Sequence, residues 1–572
     1  MGIKLTEEQK EVIKALGQLD KVKVNAYAGT GKTTTIRACA EVFKGKKILV
    51  LAFNRSVVNE LKEKLGSNCA VYTLHGLAYS LLQVDGSGNR FVRDRKVFLD
   101  ELIDLFGEDH LTVRIYARVF EAFCNSEFTE VSEENLVKLL WRNYRLRRQA
   151  LTHFGKSILD FSEKDLYEIA GKLADRIEYV FYAVGKGALP ITHDYYLKLF
   201  QLRFEDYLNF FKDFYLLAVD EAQDVNGVQE HVLKHAPVPK KLAVGDKHQQ
   251  IYSWRLAINS LTRLKDWEEK YLTVSFRFQN EQIVDYTNKF LKNWKGETNL
   301  MRFERTGRRT GKRAIISRTN SILVQELERI TEEINFTRDI EDIFRTVRES
   351  ERLMRYFFTG KESFLDGLPN YVKKLAVEFR ERARGLEEFA FLFELAGEED
   401  YAIGIIIAKN YDVELLYEKA KKLYDPNAKL VLTTAHSAKG LEFDEVVLTE
   451  DFKPLEKVVA LKLERMLRIN SEEEAREVVE RIKSFDEKLS EVIDEINLYY
   501  VAWTRALYDV IGPGAINVAR SFEKVFDGKL LFEEIRKLRK KEELMQTIWK
   551  EISKQREDDG IDWNKLDEEF DF

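Results

Sequence analysis

A strand that runs into a glycine-bearing loop and then into a helix constrains this chain more than any other feature. Lys21 to Tyr27 (KVKVNAY) alternates as a strand does, Ala26 to Thr33 reads AYAGTGKT, and TTTIRACAEVF follows with helical spacing. Such a loop cradles phosphates. Gly29 and Gly31 allow close backbone approach, and the backbone N–H groups and the helix N-terminus attract anions. Lys32 is placed to contact the β and γ phosphates and the Thr33 hydroxyl to ligate Mg²⁺. Ala28, Thr30 and Thr34 complete the cradle. The general pattern has Gly at the first position, where this chain has Ala26.

Far downstream, VDEAQD (Val219 to Asp224) follows an apolar run. That puts Asp220 at the C-terminal end of a strand, where open parallel sheets bind ligands. Asp220 is the candidate Mg²⁺ ligand, and Glu221 the candidate base that orients or deprotonates water. Together the two segments imply a nucleoside triphosphatase using ATP and Mg²⁺. Phosphoryl transfer also needs cations at the γ phosphate, for which Arg277 (TVSFRF) and Arg505 (YVAWTRAL) are candidates.

At 572 residues the chain exceeds one core, and three or four domains are expected. KKILVLAF, CAVYTL, FYLLAVDE and KLAVGD are buried-strand candidates that alternate with helical segments. The fold class read from this is α/β with parallel, doubly wound sheets. Residues 1–78 and 208–265 form the first α/β domain, interrupted by a helical insertion at 79–207. A second α/β pattern opens near YLTVSF and continues through RAIISRTN, KLVLTTAH and DEVVLTE, giving 266–326 and 423–515. A second helical insertion spans 327–422, and 516–572 holds a helical segment and an acidic tail. The net charge of −6 looks wrong for a nucleic-acid binder, but the last 22 residues hold nine acids and three bases. The rest of the chain is about neutral, so local basic stripes remain available. WRNYRLRR (Trp141 to Arg148) and RFERTGRRTGKR (Arg302 to Arg313) are such stripes, suited to phosphates. Three widely spaced cysteines supply neither a metal cluster nor a disulfide framework, and no secretory signal or membrane-length apolar run is read. A cytoplasmic location is expected.

The ordered series AYAGTGKTTT, TLHGLAY, VDEAQD, GDKHQQIYSWR, SFRF, TTAHSAKGLEF and YYVAWTRA resembles the UvrD/Rep-like superfamily 1A DNA helicases from Leu5 to about Tyr508. In motif style it is most similar to the F-box DNA helicase branch, with no F-box region expected ahead of Leu5. The resemblance implies two RecA-like domains sandwiching ATP, each with a helical insertion, and 3′ to 5′ movement on single-stranded DNA with duplex unwinding. It implies that Gln9 reads adenine, that Gln249 links the γ phosphate to the DNA site, and that Arg255, Arg277 and Arg505 face that phosphate. Phe276 would stack near adenine, Glu442 contact the ribose, and Gly440 allow close approach. On the nucleic-acid side, Tyr252 and Trp254 would stack on bases, which suits sequence-independent stepping because every base has a π face. Thr73, His75, Arg318, Asn320, Thr434 and His436 match strand-contact positions. The implied partners are single-stranded DNA and single-strand/duplex junctions, with single-strand-binding or recombination proteins as the protein class. No membrane partner is implied, and the chain is expected to act as a monomer. The chain departs from the pattern in reading RLA after Trp254, in a shorter AFNRS segment (Ala52 to Ser56), and in a short second insertion. Two other readings stay open: a translocase that strips bound proteins with little unwinding, and a nucleotide-gated DNA-binding module with little turnover.

Overall fold

The computed structural model describes residues 5–84, 90–91, 95–395 and 398–540. Two parallel sheets organise it, as the alternation of strands and helices predicts. The first contains β1 (Lys21–Ala26), β2 (Ile48–Leu51), β3 (Cys69–Tyr72), β4 (Leu216–Val219), β5 (Lys240–Gly245) and β6 (Glu268–Leu272), in the order β3-β2-β4-β5-β1-β6. β2, β4 and β5 are buried along their whole length. That is why they read as continuous apolar runs: helices cover both faces of a parallel sheet. A two-stranded pair, β7 (Val274–Ser275) and β8 (Arg302–Phe303), leads into the second sheet. That sheet contains β9 (Arg313–Ser317), β10 (Ile334–Phe336), β11 (Leu430–Thr434), β12 (Phe443–Leu448) and β13 (Ala506–Ile511), in the order β10-β11-β9-β12-β13.

Two expectations are corrected here. The YLTVSF segment, expected to open the second sheet, belongs partly to the first. Tyr271 and Leu272 end β6, whose partners on β1 are Asn25 and Ala26. The reason is lateral. The exposed edge of β1 needs a partner, and the chain bends only after Leu272, where Glu8 accepts from the Thr273 amide (2.7 Å) and hydroxyl (2.6 Å). The stretch 327–422, expected as a helical insertion, opens within the second sheet instead: it contains β10, paired with β11 through Ile334–Leu430 and Phe336–Leu432. Helices follow it, from Ile340–Thr359 to Val413–Leu423.

Between β3 and β4 the described chain is helical, from Leu74–Leu82 and Arg95–Phe106 to His193–Leu202. Its core runs without a break from Val113 and Phe120 to Val372, Phe379 and Phe389, so the helices after β10 lie against this first helical group. The two sheets also share apolar contacts. Tyr27 and Ala28, just past β1, sit in one core with Ala435, Ala438 and Tyr500. No helix among the described residues is long and apolar enough to cross a membrane. The acidic tail from residue 541 lies outside the described residues.

Trp294 anchors the second sheet's core. It is fully buried, stacks on Phe526 with centroids 4.4 Å apart, and donates from Nε1 to the Ser521 carbonyl (2.8 Å). Trp294→Ala is expected to cost about 3–5 kcal/mol through the cavity it leaves. The check is a lower urea midpoint at unchanged slope, with Trp294→Phe losing less.

Candidate functional site

The phosphate loop joins β1 to α2 (Lys32–Val42). Gly29 (φ 75°) and Gly31 (φ 86°) are left-handed, which only glycine adopts without strain. Space forbids a side chain as well. A Cβ on Gly29 would lie 2.4 Å from Arg277 Cβ, and one on Gly31 3.0 Å from Gln9 Nε2. Ala26 is not among the left-handed residues and ends a regular strand, so glycine is not needed there. The loop is braced from outside. Ser275 Oγ donates to the Ala28 carbonyl (2.8 Å), and the Phe276 amide donates to the Gly29 carbonyl (2.9 Å). Thr30 Oγ1 donates to the Tyr27 carbonyl (2.8 Å). Gln9 closes the capping box of α1 (Glu7–Gln18) with Thr6, and its Nε2 donates to Thr35 Oγ1 (3.2 Å) on α2.

Lys32 Nζ lies 2.7 Å from Glu221 Oε1. Burial disfavours both charges. The Glu221 and Asp220 carboxylates nevertheless keep the Lys32 pKa raised, while Lys32 and Lys439 hold Glu221 below the usual carboxylate range. Glu221 occupies a left-handed conformation (φ 52°), a strained setting for a non-glycine residue. Burial pushes the Asp220 carboxyl up, and the Glu221 charge adds to this. A cation beside Asp220 would reverse that cost. Thr33, in the first turn of α2, and Asp220, at the end of β4, offer the hard oxygen donors that Mg²⁺ takes. Among the described residues no group of three or more His, Cys, Asp or Glu is placed to hold a metal.

The second sheet contributes arginines to the same cleft. Arg277 donates from Nε to Glu442 Oε1 (2.9 Å) and from Nη1 to the Thr504 carbonyl (2.9 Å). Arg505 is fully buried, bonded to the Val501 carbonyl (2.8 Å), the Leu441 carbonyl (3.3 Å) and Thr504 Oγ1 (3.1 Å). Burial and the Arg277 charge lower its pKa to about 9. Gln249 Nε2 donates to Asp246 Oδ2 (2.8 Å), which also accepts from Tyr500 (2.9 Å). Phe276 is half-buried beside the loop. Gly440 is left-handed (φ 86°) with open space where a side chain would be. Arg255 does not join this group. It is exposed, sits in a short 3₁₀ turn (Ser253–Arg255), and lies 4.6 Å over the Trp254 ring and 5.5 Å over Tyr252.

Sequence reasoning missed Lys439. It pairs with Asp224, donates to the Gln249 carbonyl, and lies 5.0 Å over the Tyr252 ring. The signal was available: VDEAQD carries a third acid, Asp224, that the phosphate chemistry leaves without a role. Burial pushes the Asp224 carboxyl up to about 6 even with Lys439 opposing it.

On the far side of Lys439 an aromatic surface crosses both sheets. Tyr252 stacks on Phe53 (centroids 5.8 Å, 12°), meets Trp254 edge-on (6.4 Å) and donates to the His436 carbonyl (3.0 Å). Trp254 is 42% exposed, which is not a core environment. His436 has its pKa lowered by burial to about 4. Other expected strand-contact residues are engaged within the protein. Thr73 caps the helix Leu74–Leu82, accepting from the Gly76 amide (3.0 Å). Thr434 Oγ1 donates to Ser437 Oγ (3.2 Å). Arg318 pairs with Glu495, and its amide donates to Asp451 (2.9 Å). His75 is half-buried against His193 and Tyr196, and burial lowers its pKa. Asn320 begins the helix Asn320–Glu326. The basic stripes are also engaged. Arg142 pairs with Glu127 and Glu487, and Arg147 is buried among Trp141, Tyr144 and Phe161. In the second stripe Arg302 pairs with Glu8, Arg308 with Glu442 and Arg313 with Glu332.

Comparison with known proteins agrees with this geometry. Residues 5–268 match the UvrD/REP helicase N-terminal domain and residues 191–509 the UvrD-like helicase C-terminal domain. The chain is 27% identical over 488 residues to F-box DNA helicase 1 of Gallus gallus, covering 79% of this chain and 45% of that protein. It is 25% identical over 536 residues to F-box DNA helicase protein 1 of Schizosaccharomyces pombe, covering 88% and 56%. It is 25% identical over 303 residues to a probable DNA helicase II homolog of Mycoplasma pneumoniae, covering 47% and 39%. The chain thus spans about half the length of the first two.

Lys439→Met would leave Asp224 buried without its counter-charge, a loss of about 3–5 kcal/mol. Adding Asp224→Asn is expected to recover at least half of that. Urea midpoints of the two singles and the double test the pairing, and additive losses would refute it.

Proposed function

We propose, from the premise that the chain belongs to the UvrD-like helicase family, that it is an ATP-driven DNA helicase moving 3′ to 5′ on single-stranded DNA. Repair, recombination or replication is the setting this activity fits. Lys439 carries the reading. One side chain touches Asp224 beside the Lys32–Glu221 pair, the backbone of Gln249, and the face of Tyr252. Events at a nucleotide and at a stacked strand are thereby mechanically joined.

The chemistry follows from the pairs described. Glu221 is neutralised by Lys32 until phosphates draw Lys32 away, and a freed Glu221 is then placed to accept a proton from water. Arg277 and Arg505, reaching in from the other sheet, would neutralise charge that develops on the γ phosphate, which requires the cleft to be closed. Mg²⁺, held by Thr33 and Asp220, would supply charge neutralisation at the phosphate oxygens. Gln9, on α1, would face the base. Trp254, exposed at the end of the aromatic surface, would hold a base of the strand by stacking, and Tyr252 would support it. Arg255 belongs with this surface and would meet the strand's phosphates.

Duplexes carrying a 3′ or a 5′ single-stranded tail test the reading, with Lys32→Ala as control. Unwinding of the 3′-tailed duplex alone is expected; no unwinding with intact strand-stimulated ATPase would favour the protein-stripping translocase. Glu221→Gln is expected to lower the ATPase rate by about 10²–10⁴-fold. Trp254→Ala is expected to weaken strand stimulation about tenfold while sparing the basal rate, in line with about 1–3 kcal/mol per stacked base. Equal loss of both rates would assign Trp254 to packing.

A further inference from the structure

The segment after β8 is the rest of the second basic stripe. It is anchored by hydrogen bonds to Gln279, Asp444 and Tyr508. Gln279 accepts from the amides of Thr306 (3.0 Å) and Gly307 (2.8 Å), and its Nε2 donates to the Arg277 carbonyl (3.0 Å) and Thr306 Oγ1 (3.1 Å). Gly307 turns the chain with φ 68°. Tyr508 donates to the Arg308 carbonyl (3.0 Å), and Asp444 accepts from the amides of Thr310 (2.7 Å) and Gly311 (3.0 Å). A loop held this way presents Arg308 to Glu442, with Nη1 2.8 Å from Oε2.

Glu442 is therefore flanked by two guanidiniums: Oε1 accepts from Arg277, while Oε2 lies 2.8 Å from Arg308 Nη1 as an ion pair and accepts no hydrogen bond among the described residues. Against the pull of burial, the two guanidiniums hold its carboxyl below the usual range. A carboxylate only accepts hydrogen bonds. Of the groups that ATP carries, the phosphates repel it, and the donors are the sugar hydroxyls and the exocyclic amine. Glu442 lies one side chain away from Gly29, since Arg277 Cβ abuts that glycine. The sugar, joined directly to the phosphates, is the donor that fits.

We infer that Arg308 is a positioning residue that makes the release of Arg277 depend on ribose; the inference rests on the ATPase reading above. Arg277 spends its Nε on Glu442 in the structure. A ribose hydroxyl that donates to the open Oε2 draws on the carboxylate's charge and weakens the bond to Arg277, Arg308 keeps the carboxylate in place, and Arg277 turns to the triphosphate. A nucleotide lacking the hydroxyl binds but leaves Arg277 held. Discrimination against deoxynucleotides then falls on kcat more than on KM.

The test is steady-state kcat and KM of the full chain with ATP, 2′-dATP and 3′-dATP, for wild type, Arg308→Ala and Arg308→Lys. In the wild type one deoxy analogue is expected to lower kcat about fivefold or more, with a smaller change in KM. Arg308→Ala is expected to lower kcat for ATP and narrow the ratio below about twofold, because Glu442 then stays on Arg277 whatever the sugar. Arg308→Lys is expected to restore at least half of the ratio. The thermal midpoint should not move, since Arg308 is more than half exposed. Equal kcat for the three nucleotides in the wild type, discrimination confined to KM, or an unchanged ratio in Arg308→Ala would overturn the inference while leaving the ATPase reading intact. Absence of ATP turnover in the wild type would instead overturn the ATPase reading.

Discussion

The contact that the rest of this structure depends on is the one between Gly29 and the Ser275–Arg277 segment at the end of β7. There is no room between them for even one methyl group. Two hydrogen bonds, from Ser275 Oγ and the Phe276 amide, fix the phosphate loop to that segment. The same segment carries Arg277 to Glu442. A loop that cradles phosphates in isolation would have its backbone set by its own glycines alone. Here the conformation is also held by a segment that leads from the first sheet toward the second. Lys439 repeats the arrangement on the opposite side, with its backbone in the second sheet's loop and its charge on Asp224 of the first.

Much of this was legible in the residues. Apolar runs mark β2, β4 and β5, because parallel strands covered on both faces are apolar throughout, and alternation marks β1; β3, β9, β11 and β12 also fall on segments read as strands. Lys32, Asp220 and Glu221 were legible because a strand end and a helix start define where each side chain emerges. What the sequence hides is pairing. Nothing in the pattern of Glu268–Leu272 says that its neighbour is β1, and nothing in Ile334–Phe336 distinguishes three apolar-flanked residues from a helix start. β13 was missed because its outer half is exposed, which weakens the apolar run. Arg255 stands here over Trp254 and Tyr252, a contact between near neighbours that the family pattern does not foretell. The basic stripes read as free charge because their partners are remote in sequence: Arg302 meets Glu8, and Arg142 meets Glu487.

That last pair belongs to a cluster that ties the helical insertion to both halves. Arg263 and Arg142 share Glu127 and Glu487, drawn from three separated parts of the chain. Partly buried ion pairs contribute little net stability against a well-packed apolar alternative, but breaking one partner out is costly. They favour one arrangement over near misses. An insertion fixed by charges in this way moves as a unit or changes partners; it does not slide.

Gln9 serves two ends at once. It closes the first helix's capping box, a role Glu fills equally well in other proteins, and it also lends an amide hydrogen to Thr35 in the phosphate loop's helix. A carboxylate has no hydrogen to lend. Two requirements of different origin, one local to a helix end and one reaching across to the nucleotide site, intersect at a single letter of the amino-acid alphabet. Glu at this position would satisfy the helix end and leave Thr35 without that bond.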